Sequence, residues 1–384
     1  MSLTIGMFTD TYLPEVNGVV TSIVDTVAAL RRKGQRVIVV APAHRGVRED
    51  DPDVFRFHST AFPFYPQFRM AFPLPAKLLT ALPRMPFDVI HAHSLFFVGC
   101  LGAYLAQLRR IPLVFTYHTR WTEYTHYLPV HERITVAQAV WISREFSNRC
   151  DRVIAPTAGI AQLLRSYGVE RPIDVIPTGV DLSTFSKAAP LGGVLSADAR
   201  PLMLSVGRLG KEKNPDRLLD AFDLIAAAMP SARLLIVGGG PYEKSLRRRT
   251  QALAHGDRVT FVGAVKRTAL GAYYRAADIF LFASTTETQG LVIIEALAHG
   301  LPIAGVDCPV LREIVPPAAG SLVEDDPQRL ADAAIALASE SPPERAKRSD
   351  AAVAAAAPYS LDALTQRLLE LYAAAGSSRA SEVI

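Results

Sequence analysis

The sequence predicts an α/β protein built from two doubly wound, parallel-sheet domains. Short apolar segments of strand length alternate with segments of helical periodicity through most of the 384 residues. This alternation is interrupted once, at Asp181–Arg200, where Ser, Ala, Gly and Pro dominate and no period is visible. We therefore assign residues 1–180 to the first domain, 181–200 to a linker and 201–357 to the second domain. Residues 358–384 are assigned to a C-terminal helix that can return to the first domain.

The first domain contains seven predicted strands, and helices connect most of them. The strands are Thr4–Phe8, Arg36–Ala41, Val54–His58, Asp88–His91, Pro112–Tyr117, Arg152–Ala155 and Ile173–Ile176. The helices are Val19–Lys33, Leu95–Arg109, Glu132–Asn148 and Ala158–Tyr167. Such alternation favours a parallel sheet with helices on both faces.

The second domain repeats this pattern. Its predicted strands are Leu202–Val206, Arg233–Val237, Arg258–Phe261, Ile279–Phe282 and Pro302–Ala304. Its predicted helices are Asn214–Ala228, Pro241–Leu253, Thr268–Ala276, Leu291–His299 and Pro327–Ala338, and the C-terminal helix covers Leu361–Ala374. Two such domains joined by one linker predict a ligand cleft where the carboxyl ends of both sets of strands face each other.

The composition excludes several classes of protein. Cys100, Cys150 and Cys308 stand far apart without a CxxC pair, which argues against a disulfide framework and a structural zinc site. The chain has no apolar run of membrane-spanning length, and its start lacks the pattern of a signal peptide, so we expect a cytoplasmic protein. No nucleic-acid-binding module is visible.

The charge is unevenly placed along the chain. Residues 1–181 contain 19 Lys and Arg against 15 Asp and Glu, whereas the remaining residues contain 22 of each. A small basic surplus of this kind is compatible with contact between the first domain and an anionic membrane surface.

The segment Ser284–Ala296 has the pattern of an anion site. It follows the predicted strand Ile279–Phe282 and contains Glu287, then Gly290, then a helical run that includes Glu295. A helix that begins near Gly290 offers free backbone N–H groups to a phosphate, and the two carboxylates would lie on either side of a diphosphate ligand. The alternative is a solvated loop glutamate and a helical glutamate paired with a nearby Lys or Arg.

A second loop, Gly207–Pro215, follows the first strand of the same domain and has three basic residues. Arg208 and Lys213 could converge on a diphosphate and neutralise it as it leaves. The alternative is a solvated basic turn. The spacing is not that of a P-loop, and the turn Gly238-Gly239-Gly240 lacks the third glycine of a dinucleotide fingerprint.

Three polar features mark the first domain. Asn17-Gly18 opens the first helix, either as an anion site or as an ordinary helix cap. His118 follows a strand and would face the cleft, or it is a structural histidine. His91 and His93 form an HxH pattern without further metal ligands, and the Asp51-Pro52-Asp53 sequence is interpreted as turn chemistry.

Aromatic side chains cluster in two loops of the first domain. The segment 62–75 contains Phe64, Tyr65 and Phe68 among prolines that we expect to prevent a regular element. This loop either folds over the core or contacts lipid. Trp121 and Tyr124 follow His118, and these five aromatic residues are the candidates for contact with an acceptor or a membrane.

Together these motifs resemble the retaining, nucleotide-sugar-dependent glycosyltransferases of family four, which have the GT-B fold. The resemblance covers nearly the whole chain, and it rests on Asn17-Gly18-Val19, His118, Arg208 with Lys213, and the Glu-x7-Glu pair of Glu287 and Glu295. The most specific part is Thr-Gln-Gly-Leu followed by Glu-Ala.

The resemblance implies a role for each of these positions. The backbone at Asn17 and Gly18, together with Arg208 and Lys213, would hold the diphosphate. Glu295 would bind the ribose, and Glu287 would contact hydroxyls of the donor sugar. His118 would lie beside the transferring carbon.

Further donor contacts are implied around these positions. Gln289, Gly290 and Leu291 would complete the donor site, and Gly263 with Val265 would contact the nucleobase. We expect no metal ion and no cofactor, because the nucleotide sugar is itself the substrate and cationic side chains replace a metal.

The first-domain motifs are similar to those of the subgroup that glycosylates diacylglycerol, and also to related lipid mannosyltransferases. This resemblance implies transfer of a hexose, glucose from UDP-glucose, onto a membrane lipid at the inner face of the cell membrane. Three alternatives stay open: a GDP-mannose-dependent α-mannosyltransferase with a lipid or soluble acceptor, a GT-B nucleotide-sugar epimerase, and a noncatalytic nucleotide-sugar-binding protein.

Overall fold

The computed structural model describes residues 2–15, 17–62, 65–72, 76–123, 132–181 and 200–381. The chain divides into two compact units. The first unit comprises Met1–Gly179 and Leu361–Ile384, and the second unit comprises Val180–Ser360. The C-terminal helix therefore belongs to the first unit.

The first unit contains a seven-stranded sheet in which every pair of neighbouring strands is parallel. Its strands are β1 (Thr4–Phe8), β2 (Arg36–Pro42), β3 (Val54–Phe57), β6 (Val89–Ala92), β7 (Leu113–Thr116), β8 (Arg152–Ala155) and β9 (Ile173–Val175). Their order across the sheet is β3-β2-β1-β6-β7-β8-β9. Most of these strands are buried along their whole length, as expected for a parallel sheet covered on both faces.

Helices cover both faces of this sheet. The helices are α1 (Gly18–Arg32), α2 (Ala76–Ala81), α3 (Phe97–Arg109), α4 (Glu132–Asn148), α5 (Ala158–Ser166) and the C-terminal α13 (Leu361–Ser381). One apolar cluster joins residues of α3, α4 and α5 with one sheet face, and a second cluster joins residues of α1 and α13 with the other. The unit is thus doubly wound.

The segment around residues 62–75 differs from our expectation. Strands β4 (Ser59–Phe62) and β5 (Tyr65–Ala71) form a two-stranded antiparallel hairpin, so the prediction that prolines prevent a regular element there is wrong. The register shifts between Ala61 and Phe62, and residues 66–68 of β5, which include Pro66, have no partner in the pairing with β4. Proline is compatible with a strand at such an irregularity because its missing N–H breaks no pairing.

The second unit contains a six-stranded parallel sheet in the order β12-β11-β10-β13-β14-β15. Its strands are β10 (Leu202–Val206), β11 (Arg233–Val237), β12 (Val259–Gly263), β13 (Ile279–Phe282), β14 (Ile303–Val306) and β15 (Gly320–Val323). Its helices are α6 (Pro215–Ala228), α7 (Glu243–Gln251), α8 (Arg267–Ala276), α9 (Leu291–Ala298), α10 (Pro309–Ile314), α11 (Pro327–Ala338) and α12 (Pro342–Ala356). Two apolar clusters, one on each face, bury the sheet.

The predicted fold class, two doubly wound α/β domains, is confirmed. Most predicted strands and helices begin and end within one or two residues of the observed ones. The sequence analysis missed β15 and helices α2, α10 and α12. Strand β15 begins with a glycine and has only four residues, so its strand signal is weak and pairing with β14 stabilises it.

Strand order defines one switch point in each sheet. In the first unit it lies between β1 and β6, and in the second unit it lies between β10 and β13, because the chain leaves these adjacent strands in opposite directions across the sheet. Ligands of doubly wound proteins bind outside the carboxyl ends of the strands at such points. The loops that follow β1 and β6 are therefore the candidate ligand-binding loops of the first unit, and those that follow β10 and β13 are the candidates in the second.

Candidate active site

The two switch-point loops of the second unit meet through an ion pair. Lys213, in the loop after β10, places its Nζ 2.7 Å from Glu287 Oε1, in the loop after β13. The hydroxyl of Thr286 also donates to the backbone carbonyl of Glu212 at 2.9 Å. Two residues that the sequence analysis proposed separately, 74 positions apart, thus form one polar group at the predicted place.

Arg208 is the second cation of this site. It pairs with the carboxylate of Glu212, a residue that the sequence analysis did not assign a role and whose side chain is almost fully buried. The side chains of Arg208 and Lys213 are 18% and 24% exposed, whereas Lys211 is exposed, so the alternative of a solvated basic turn describes only part of this loop. An ammonium has three donors and a guanidinium has five, so both cations can bind phosphate oxygens while they keep their carboxylate partners.

Helix α9 begins directly after Glu287. Its N-cap residue, Gly290, has φ of +75°, a left-handed conformation that side chains disfavour. Gln289 is buried just before the cap, and Leu291, the first helical residue, packs on the core. The backbone N–H of Ile293 donates to the Gly290 carbonyl at 2.9 Å, whereas helix geometry gives those of Leu291 and Val292 no intrahelical acceptor, so they are donors suited to an anion at the switch point.

Glu295 lies on α9 and is 3% exposed. Its Oε1 accepts from the Arg267 guanidinium at 3.1 and 3.2 Å, and its Oε2 accepts from the Tyr274 hydroxyl at 2.9 Å. Burial, together with this carboxylate, raises the pKa of Tyr274 well above its usual value, so the phenol stays protonated and donates. Oε1 thus accepts two N–H bonds, and Oε2 accepts one O–H bond.

The sequence analysis missed Arg267 and Tyr274. Both lie on α8, seven positions apart, which places them on one side of the helix after two turns. That spacing is the signal that could have found them. The chain between β12 and α8 contains two further predicted residues. Gly263, the last residue of β12, has φ of +82°, and the partly buried side chain of Val265 packs on the core.

The turn at Gly238–Gly240 packs closely against the loop that follows β10. A Cβ on Gly238 would lie 1.9 Å from the carbonyl oxygen of Gly207, and one on Gly240 would lie 2.3 Å from that of Leu209. The backbone N–H of Leu209 donates to the Gly239 carbonyl at 3.0 Å. The glycines therefore allow the loop after β10 to pack closely on its neighbour, which positions Arg208 and Lys213.

The first-unit switch point contains a buried carboxylate that the sequence analysis did not single out. Asp10 follows β1 and accepts from the Ser94 hydroxyl, from the backbone N–H of Val98 at 3.0 Å and from that of Gly99 at 3.4 Å. Burial raises the pKa of Asp10 although these donors oppose the shift. The residue joins β1 to the start of α3, and its position directly after the first strand was the available signal.

Asn17 acts as the N-cap of α1. Its side-chain oxygen accepts from the backbone N–H of Val20 at 2.9 Å, and Gly18 is the first helical residue. The capping alternative is therefore present in the structure, and a Cβ on Gly18 would meet no atom within 4 Å. A role for this backbone in holding a diphosphate stays a prediction.

His118 lies two residues beyond the end of β7. Its Nε2 is 2.9 Å from Nδ1 of His93, which follows the neighbouring strand β6. Burial lowers the pKa of His118 to about 4 and that of His91 to about 3, and it lowers the pKa of His93 well below its usual value. These three histidines are therefore neutral imidazoles at neutral pH.

Of the five aromatic residues proposed to contact an acceptor or a membrane, Trp121 is the one whose side chain the structure describes. Trp121 packs edge-on against Phe96, with ring centroids 4.7 Å apart. Phe64 and Tyr124 lie outside the described residues, as do the side chains of Tyr65 and Phe68.

The aspartates of the Asp51-Pro52-Asp53 turn form structural ion pairs. Asp51 pairs with Arg31 and Asp53 with Arg36. Among the described residues, no group of three or more His, Cys, Asp and Glu is arranged to hold a metal ion. In the same part of the chain, no helix combines the length and apolar character needed to cross a membrane.

Two family models match the chain, one in each half. Residues 16–184 match the model of Glycosyltransferase Family 4, and residues 193–354 match that of Glycosyl transferases group 1. The chain is 34% identical to an alpha-monoglucosyldiacylglycerol synthase of Streptococcus pneumoniae, over 81% of this chain and 73% of the relative. It is 32% identical to the synthase of the same name from Acholeplasma laidlawii, over 78% and 79%.

Other similarities extend this comparison. A GDP-mannose-dependent alpha-mannosyltransferase of Mycobacterium tuberculosis is 30% identical over 82% of this chain and 81% of the relative. Among solved structures, sucrose-phosphate synthase of Thermosynechococcus elongatus superimposes with a TM-score of 0.74, at 22% identity, over 98% of this chain and 100% of that one.

Two Rossmann-like, parallel-sheet units with these structural neighbours define the GT-B fold. The family matches and the identity to curated relatives make the assignment specific: the chain belongs to glycosyltransferase family 4, and the protein is a hexosyltransferase.

Proposed function

We propose that the protein transfers glucose from UDP-glucose to diacylglycerol with retention of the anomeric configuration and without a metal ion. The observation that carries this proposal is the Lys213–Glu287 pair, 2.7 Å apart, at the switch point of the second unit. It places a cation for the diphosphate beside a carboxylate for sugar hydroxyls. The names of the two most similar synthases reported above support the choice of sugar and acceptor.

The reaction breaks the bond between the sugar C1 and a diphosphate oxygen, and its electron pair goes to the diphosphate. The acceptor hydroxyl oxygen forms the new bond to C1, and its proton passes to the released diphosphate. Arg208 and Lys213 stabilise the negative charge that develops on this leaving group, and the backbone N–H groups at the start of α9 add to that stabilisation. Attack from the face of the departing diphosphate retains the configuration.

The other site residues bind parts of the donor. Glu287 accepts hydrogen bonds from sugar hydroxyls, and Glu295 accepts from the ribose while Arg267 and Tyr274 hold its carboxylate in place. Val265 contacts the base. His118, a neutral imidazole, hydrogen-bonds the sugar beside the carbon that is transferred. Neutrality suits this role, because an imidazolium there would oppose the positive charge that develops at C1.

We propose that the acceptor is reached at the surface of an anionic membrane. Helices α3 and α4 pack on one face of the first-unit sheet. Their outer surfaces have two exposed aromatic residues, Tyr104 at 61% and Trp141 at 57%, and two exposed cations, Arg110 and Arg133. Aromatic rings and basic side chains are the groups that settle at a lipid headgroup region.

A vesicle-binding experiment tests this surface. Trp141→Glu should reduce co-sedimentation with phosphatidylglycerol vesicles, whereas Val353→Glu, which alters an exposed apolar residue of the second unit, should leave it unchanged. Equal binding by the two variants would exclude α4 as a membrane contact.

A second candidate function is the GDP-mannose-dependent transfer of mannose, which the similarity to mycobacterial mannosyltransferases favours. The purified protein is incubated with radiolabelled UDP-glucose or GDP-mannose, with and without vesicles that contain diacylglycerol, in the presence of EDTA. We expect a labelled glycolipid from UDP-glucose and vesicles only. Labelled mannolipid would favour the second candidate, conversion of the sugar without an acceptor would indicate an epimerase, and abolition by EDTA would contradict the metal-free mechanism.

A further inference from the structure

No proposed step uses either histidine of the HxH pattern. One of them, His93, lies against His118. The two residues follow neighbouring parallel strands, β6 and β7, at the same edge of the sheet. Their rings meet edge to edge in nearly parallel planes, with centroids 5.2 Å apart and an interplanar angle of 19°, and His93 Nδ1 is 2.9 Å from His118 Nε2. His93 is 5% exposed, and a backbone bond from its N–H to the Phe8 carbonyl at 2.8 Å fixes the start of its side chain.

The bond between the two rings couples their tautomers. Because both imidazoles are neutral, one nitrogen of the contact carries a proton and the other is bare. If His93 donates from Nδ1, His118 has its proton on Nδ1; if His118 donates from Nε2, His118 Nδ1 is bare. The tautomer of His93 therefore determines whether the other edge of the His118 ring donates or accepts.

His93 lines a small cavity within the first unit. Its Nε2 is buried, and no described protein atom lies within hydrogen-bonding distance of it. The cavity has a volume of about 40 Å³, and its lining includes the three histidines and the hydroxyl residues Ser22, Thr26, Thr116, Thr178 and Thr365. A polar space of this size holds two or three water molecules, each of which needs several polar partners. Such water can satisfy Nε2 in either tautomer.

His91 does not compete for this role. Its Nδ1 bonds the Tyr372 hydroxyl and its Nε2 bonds the Thr116 hydroxyl, both at 2.7 Å. It packs beside His93 with ring centroids 4.0 Å apart and thereby limits rotation of the His93 ring. His91 thus packs beside His93, and of these two histidines it is His93 whose ring nitrogen bonds His118.

We propose that His93 is a positioning residue for transfer: through the Nδ1–Nε2 bond it fixes the ring orientation and the tautomer of His118. This inference rests on the proposed role of His118 at the donor sugar. It extends that role, because a ring held in one tautomer presents a single hydrogen-bonding atom to the sugar. Loss of an outer positioning partner of this kind lowers activity by about 10- to 100-fold in comparable ligand sites.

Three substitutions at His93 separate hydrogen bonding from packing. The polar atoms of an asparagine lie where Nδ1 lies, because both are bonded to Cγ, whereas those of a glutamine reach the position of Nε2. His93→Asn should therefore keep most of the activity, and His93→Gln and His93→Leu should lower kcat by about 10- to 100-fold. The KM for the donor and the Kd for UDP should not change, because the second unit binds the nucleotide.

His118→Ala is measured alongside these variants. If it retains full activity, the proposed function of His118 fails; if it is inactive while His93→Leu is fully active, only the positioning inference fails. Equal losses in the Asn, Gln and Leu variants would also overturn the inference, since they would indicate packing alone. Nitrogen-15 NMR of histidine-labelled wild-type protein gives an independent readout, because the inference requires the same tautomer at His93 and His118, either Nδ1–H in both rings or Nε2–H in both. Two rings in opposite tautomers contradict it even if no variant folds.

Discussion

Removal of the Lys213 ammonium is the most direct test of the diphosphate site. Lys213→Ala leaves the Glu287 carboxylate, whose side chain is 15% exposed, without the cation that lies 2.7 Å away. The transition state loses a charge that we place on the leaving group, and the unpaired carboxylate repels the same group. Loss of one preorganised electrostatic partner costs about 2.7 to 4 kcal/mol, so we expect kcat to fall by about 10²- to 10³-fold.

The loop itself contains a matched control. Lys211 lies two residues earlier in the same basic turn, and it is exposed. Lys211→Ala removes the same charge from the protein without touching the Glu287 pair, so its kcat should equal that of the wild type. Initial rates with radiolabelled UDP-glucose and diacylglycerol vesicles, together with circular dichroism of all three proteins, give the comparison.

A double-mutant cycle distinguishes the two contributions to this loss. Lys213→Ala and Glu287→Ala remove residues in direct contact, and such pairs typically interact by about 0.5 to 3 kcal/mol.

If Lys213→Ala and Lys211→Ala transfer glucose at the same rate, Lys213 does not stabilise the leaving group, and the assignment of this site is refuted.

Three further predictions follow from single contacts. Gly238→Ala should lower the melting temperature and kcat together, because its Cβ would lie 1.9 Å from a carbonyl oxygen of the loop after β10 at a φ of +136°, whereas Gly239→Ala, with no atom nearer than 3.7 Å, should change neither. Tyr274→Phe removes a donor to the buried Glu295 carboxylate and should cost about 1 to 3 kcal/mol of unfolding free energy in urea; an unchanged midpoint would contradict that hydrogen bond. Burial lowers the pKa of His91 to about 3, so between pH 6.5 and pH 3 this imidazole is protonated in the unfolded chain but not in the native protein. The free energy of unfolding therefore decreases by about 1.4 kcal/mol for each unit by which the pH is lowered in that interval. Between pH 7 and pH 5 that contribution is about 2 kcal/mol, and a His91→Gln variant should show a correspondingly smaller loss over the same interval.

Most strands and helices could be predicted from the sequence, because their apolar periodicity and their caps depend on residues that are close together in the chain. Strands such as Thr4–Phe8 and Leu202–Val206 are short apolar runs, and burial on both faces of a parallel sheet requires that composition. The cap at Asn17 could be predicted for a similar reason, since its side chain bonds a backbone group only three residues away. The hairpin at residues 59–71 was missed, because its pairing depends on a register shift that composition does not indicate.

The candidate site divides in the same way. Glu287, Lys213 and His118 could be proposed from their positions after strands, since the carboxyl ends of parallel strands lie at one edge of a sheet. Their partners could not: Lys213 meets Glu287 because β10 and β13 are neighbours, and His118 meets His93 because β6 and β7 are.

The sequence by itself determined most of the strands and helices and the cap at Asn17, because those choices depend mainly on neighbours a few positions away. Tertiary structure alone decided that the loop after β10 packs against the glycines at 238 and 240. It also decided that residues of α8 bond Glu295 and that three histidines are buried as neutral rings. Each of these outcomes depends on the order of strands in a sheet and on the packing of helices upon it. Such contacts join residues far apart in the chain, and no local pattern specifies them.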